Sequence, residues 1–208
     1  MKHIMIVIPT LRMGGAEKAL IALLKSLDSK KIKIDLFLFE SGGVLQEDVP
    51  PWIKIIEADP ITRAMTLEMR NYFVDILKRR KIIVAIDRLK MTFNSKRKKN
   101  YFSWNVIKKH ILKVDNHYDV AIGFLEGFAD FFVLDKIDAD KKIGWIHTDM
   151  SGRIANEKEQ NYYEKFDVIV TISEICKNAF VKLYPNIINK IQIIENIVLT
   201  NEILQKSN

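Results

Sequence analysis

The chain has 208 residues, 48% of them hydrophobic, with 33 Lys and Arg against 26 Asp and Glu for a formal net charge of +7. That length and apolar content suit one globular domain with a sizeable core. Apolar runs such as those at 4–8 and 168–170 fall far short of the ~18 residues of a membrane helix, Pro9 and Arg12 break the first too early for a secretory signal, and the single cysteine, Cys176, excludes an internal disulfide.

In chain order, the first predicted element is a strand at 3–8, which runs through Gly14 and Gly15 into a helix at 16–27. That helix repeats its apolar residues at Ala16, Ala19, Leu20, Leu23, Leu24 and Leu27, the spacing of one buried face. Glycines without a Cβ permit positive φ and close approach of a ligand, and the free amides of a helix start, here before Ala16 and Glu17, favour an anion such as a phosphate. An adjacent glycine pair is not the G-x-G-x-x-G dinucleotide fingerprint, and it serves equally as a plain strand-to-helix turn.

A strand at 32–39, a surface connection at 42–51 bounded by Gly and Pro pairs, and a strand at 52–56 come next. Residues 61–114 are expected to form two or three inserted helices broken by the charged stretch 94–100. Most of the basicity lies here. Positions 78–113 carry thirteen cations against Asp87, a balance of +12 that leaves −5 for the rest of the chain. The helix predicted over 101–113 mixes aromatic and aliphatic residues with lysines. It therefore fits either an anionic membrane surface, met through Lys96, Arg97, Lys98, Lys99, Trp104, Lys108 and Lys109, or a core-packing helix with a solvated lysine face. No nucleic-acid-binding motif accompanies the cluster, so nucleic acid is not the expected partner.

The strand at 118–124 is followed by a loop with Glu126 between Gly123 and Gly127, where a carboxylate either accepts hydrogen bonds from ligand hydroxyls or turns to solvent. The strand at 141–147 ends on His147, with Thr148 and Asp149 behind it. A histidine there can hydrogen-bond a sugar hydroxyl or exchange a proton, its tautomer set by a neighbouring carboxylate; the alternative is a strand-end histidine satisfied by backbone, with Asp149 as a cap. Strands at 167–171 and 190–194 flank a helix capped by Ser173 and stopped by Pro185, and a short polar tail follows. Strands alternating with helices predict an α/β fold, a Rossmann-like parallel sheet with helices on both faces and a basic helical insert. No metal site is expected, because no ligand-like His or Cys spacing occurs.

Four segments in order, GGAEKAL at 14–20, WIHTD at 145–149, DVIVTISE at 167–174 and QIIENIV at 192–198, resemble the N-terminal half of a family 4 glycosyltransferase of the GT-B fold, and YDVAIGFLEG at 118–127 resembles a subgroup of these enzymes. The resemblance implies a retaining, metal-free and cofactor-free transfer from a nucleotide-sugar across a cleft between two domains, the N-terminal one holding the acceptor. Residues 1–196 would be that acceptor domain, with 61–114 as its insert and 197–208 as the start of a linker.

Carried over by residue, Gly15 would offer backbone to the donor diphosphate or the nearby acceptor, and His147 would be catalytic, touching the transferred sugar; Gly14, Glu17, Glu126, Gly127 and Asp149, from the same loops, are the further candidates for substrate contact. Two departures stand out. Asn196-Ile197 replaces the usual Asn-Gly, and no pair of glutamates has the eight-residue separation that the family uses to hold its donor. The donor domain is therefore expected to be absent from these residues, which alone should transfer no sugar. The expected acceptor is a lipid-linked or surface polysaccharide precursor, met at the inner face of the cell membrane by a cytoplasmic, peripheral protein. The main rival is a non-catalytic scaffold that docks a separate catalytic chain.

Overall fold

The computed structural model describes residues 1–66, 83, 86–87 and 100–197. Among them seven strands form one sheet: β1 (Lys2–Ile8), β2 (Ile32–Leu38), β3 (Lys54–Glu57), β4 (His117–Gly123), β5 (Asp138–Ile146), β6 (Val168–Thr171) and β7 (Ile191–Ile193). Every pairing is parallel and the order is β3-β2-β1-β4-β5-β6-β7. All seven strands expected from sequence are present. The largest shift is in β5, which begins at Asp138 rather than at 141.

The sheet is buried on both faces, so its central strands read as continuous apolar runs while their side chains alternate between two cores. Met5 and Val7 of β1 and Phe37 of β2 enter one core; Ile6, Ile8, Leu36 and Leu38 enter the other. Helix α1 (Gly15–Ser26) covers the second through Ala19, Leu20, Ile21 and Leu24. A short helix, α2 (Pro60–Thr66), precedes the residues left undescribed. The first core is covered by α3 (Asn100–Ile107), α4 (Phe128–Lys136), α5 (Glu157–Tyr163) and α6 (Glu174–Leu183). The fold is a Rossmann-like α/β domain. Ser173 caps α6 by accepting from the Cys176 amide at 3.2 Å, as its sequence position predicts. Pro185 ends α6 and opens a 3-10 turn at Pro185–Lys190, and a further 3-10 turn, Val44–Asp48, lies within the 42–51 connection.

The insert corrects one expectation. Trp104 is fully buried, and with Ile107 and Ile111 it belongs to the core rather than to a membrane-facing surface. Its indole Nε1 donates to Asp135 Oδ2 at 2.8 Å, and Asp135 also accepts from the Tyr162 hydroxyl and pairs with Lys108 at 3.4 Å. Burial alone would raise the Asp135 carboxyl, but the hydrogen bonds from Tyr162 and Trp104 and the Lys108 charge outweigh it and hold the group below its usual range. Lys109 pairs with Asp87 at 2.8 Å. Lys96, Arg97, Lys98 and Lys99 lie outside the described residues, as does most of the basic segment. No helix among the described residues is long and apolar enough to cross a membrane.

Candidate functional site

The chain starts in the middle of the sheet, moves outward through β2 and β3, then returns to place β4 beside β1 and continues outward through β5. Such a reversal leaves a crevice beyond the carboxyl ends of the central strands. The loops after β1, β4 and β5, which carry Gly14 and Gly15, Glu126, and His147, are therefore neighbours, although up to 133 positions separate them in sequence. The Phe124 amide donates to the Val7 carbonyl at 2.8 Å and carries the β1–β4 pairing into the crevice.

The glycine turn differs from its sequence reading. Gly14, the N-cap of α1, is extended at φ −100°, and among the described glycines only Gly42 and Gly127 have positive φ. What Gly14 supplies is space. A Cβ there would lie 2.0 Å from Glu17 Oε2, because Glu17 folds its carboxylate back over the turn, where Thr10 Oγ1 donates to it at 3.4 Å. At the third helical position the acid meets the positive end of the helix itself, so the turn presents a carboxylate where an anion was expected. A Cβ on Gly15 would touch nothing within 4 Å. Arg12, in the same loop, is paired with Glu40 at 2.7 Å.

After β4, Gly127 sits at φ +95° and ψ −117°, a conformation nearly confined to glycine, and is itself buried. This turn aims Glu126 across to β5. Glu126 Oε2 accepts from the His147 amide at 3.0 Å and Oε1 accepts from Thr148 Oγ1 at 2.5 Å. Sequence reading offered Glu126 a ligand hydroxyl or solvent; the structure has it fastening one loop to the next.

The His147 ring lies nearly parallel to Trp145, 12° between planes and 6.1 Å between centroids, and 4.7 Å from Phe124. Both ring nitrogens are buried without a protein partner. Burial pushes its pKa down to about 4, with the Glu126 charge opposing, so the imidazole is neutral at physiological pH. Asp149 does not orient the ring. Its carboxylate accepts from the Ser151 amide at 2.8 Å and hydroxyl at 3.1 Å in a local turn, and it caps no helix, since the next one begins at Glu157 with Asn156 as its cap.

Sequence reasoning missed the layer beneath. Asp130 of α4 is fully buried under the ends of β4 and β5. Beside it Glu159 accepts from Arg153 at 3.0 Å and from the Tyr184 hydroxyl at 3.0 Å. The usable signals were a glycine at the end of β4, Gly123, another two residues before the end of β5, Gly144, and an acid in the first turn of the helix after β4. Taken together, the crevice offers carboxylates and a neutral imidazole, groups that hydrogen-bond hydroxyls better than they hold phosphates.

No protein-family model matches the chain, and no curated protein does. Among solved structures, Alr3699/HepE of Anabaena in complex with UDP superposes with a TM-score of 0.51 at 13% identity, covering 95% of this chain and 44% of that one. A glycosyltransferase from Rickettsia africae ESF-5 gives 0.49 at 18% identity, over 99% of this chain and 48% of that one. The chain thus spans less than half the length of these neighbours, and at such identities the likeness is one of fold.

Proposed function

We propose that the chain is the acceptor-side part of a retaining glycosyltransferase that moves a sugar from a nucleotide-sugar to a lipid-linked or surface polysaccharide precursor. The observation that carries this reading is the convergence of the loops after β1, β4 and β5 on one crevice, with His147 at its edge, in the order of segments that resembles the family. The fold neighbour crystallised with UDP supports a nucleotide-bound donor. His147, neutral and with free ring nitrogens, hydrogen-bonds a hydroxyl of the transferred sugar. Glu126 holds the His147–Thr148 segment rather than the ligand, and Gly127 provides the turn. Donor phosphates are held mainly by a second domain. The test is transfer of labelled hexose from UDP-hexose to lipid-linked acceptors by this chain joined to, or mixed with, a donor-binding domain. His147→Ala is expected to lower the rate by about 100-fold or more, the scale of losing one well-placed transition-state hydrogen bond, with the melting temperature nearly unchanged. Full activity in that variant removes His147 from the mechanism.

The same reading puts the protein at an anionic membrane face, with the charge of Lys96, Arg97, Lys98 and Lys99 as its support now that Trp104 is a core residue. Binding to vesicles containing anionic lipid at low salt should fall by about tenfold or more when these four are reversed to glutamate, since each surface cation contributes roughly 1 kcal/mol. Unchanged binding would remove the membrane from the proposal.

A further inference from the structure

Asp130, the third residue of α4, lies in space that exists because two neighbouring strands carry glycine at the same level. Gly123 and Gly144 are register partners. A Cβ on Gly123 would come within 2.5 Å of Asp130 Oδ1 and 2.8 Å of its Cα, and one on Gly144 within 3.3 Å of Oδ1. The carboxyl is fully buried, and neither oxygen has a hydrogen-bond partner of good geometry, while the Gly127 and Trp145 amides face it.

Filling that space with an apolar side chain would avoid the desolvation of a carboxyl, so its presence asks for a role. The neighbouring titratable groups are Glu126 from the β4 loop and Glu159 and Tyr163 from α5, and the nearby cation, Arg153, is already paired with Glu159. Burial, then the Glu126 charge and more weakly that of Glu159, raise the Asp130 carboxyl well above its usual range. One of the two amides it faces lies in the turn after β4 and the other near the end of β5. Gly127 follows Glu126 directly, and Trp145 lies two residues before His147.

We propose that Asp130 is a positioning residue of the crevice: seated on the Gly123–Gly144 pair, its carboxyl braces the turn after β4 against the end of β5 and so sets where Glu126 holds His147. This inference rests on the crevice being the ligand site. Its test involves no sugar, so its failure would leave the transferase reading standing, whereas failure of that reading would show in the transfer assay and not in this one.

The experiment is amide hydrogen exchange by NMR on the ¹⁵N-labelled 208-residue chain. Asp130→Leu, with the same branching and number of side-chain heavy atoms but unable to meet either amide, should speed exchange at the His147 amide by about tenfold or more while Ile21 in α1 keeps its protection; Asp130→Asn, which keeps the polar shape, should leave His147 as in the parent. Should Asp130→Leu not fold, Gly123→Ala, whose Cβ would meet Asp130 Oδ1 first at 2.5 Å, displaces the same carboxyl and is expected to speed His147 exchange in the same direction. Equal His147 exchange in the parent and in Asp130→Leu, or equal acceleration in Asp130→Asn and Asp130→Leu, would overturn the proposal.

Discussion

Replacing Trp104 with alanine is expected to cost about 3–5 kcal/mol of folding stability, the range for deleting a large buried aromatic. For a chain of this size that is a fall in melting temperature on the order of 10 °C. The side chain is fully buried, with Phe128, Phe131 and Phe132 at centroid distances of 6.0, 6.3 and 6.5 Å. Truncation opens a cavity between the inserted helix α3 and α4 and strips Asp135 of its indole donor. Trp104→Phe keeps most of the ring volume and loses mainly the hydrogen bond to Asp135, so it should cost roughly 1–2 kcal/mol. Urea or thermal unfolding of the two variants measures both numbers. A tryptophan anchoring a membrane would behave differently, since exposed substitutions usually stay within about 0.5 kcal/mol. A Trp104→Ala melt within about 1 °C of the parent would therefore restore the surface reading and contradict the packing described.

That residue also shows where sequence reading stops. The seven strands were legible because strands buried on both faces are written as short apolar runs, and α1 was legible because its apolar residues keep helical spacing. The inserted helix displayed an apolar side equally plainly. Nothing local says whether such a side meets a core or a lipid surface; the deciding contact is Asp135, 31 positions away. Strand order has the same character. Each of the three site loops could be found alone, but that they share one crevice depends on β4 returning beside β1, which no single segment encodes.

The glycine turn was only partly legible for a different reason. Two glycines report that side chains are missing without saying what fills the space, and at Gly14 Glu17 does. Its spacing was available, since an acid three residues after an N-cap is the position from which a carboxylate folds back over the helix start. Asp130 was harder to find. Its significance lies in Gly123 and Gly144 being register partners, and register is a property of the sheet rather than of either strand.

The second large effect is on stability in mild acid. His147 titrates at about 4 in the folded protein against an ordinary 6.5, so the unfolded chain takes up its proton first. A depressed pKa gives stability that is present above 6.5 and is lost as the pH falls through 4. The loss runs at about 1.4 kcal/mol for each pH unit between the two values, or up to roughly 3 kcal/mol in all. Asp130 works in the opposite sense. Its carboxyl is raised, so its contribution is present below the unfolded value and is lost as pH rises, and the whole-protein profile mixes the two. The difference between the parent and His147→Gln removes everything common to both. It should slope across the window from 6.5 to 4 and flatten on either side, and the ring carbons of His147 should report the low pKa directly by NMR. An imidazole titrating near 6.5 would mean that the ring is solvated and would erase the difference in slope. With the low value, the ring stays neutral throughout the physiological range, so in the proposed transfer it acts as a hydrogen-bonding partner and not as a proton donor. The rate should then show no step near pH 6.5 that His147→Gln abolishes.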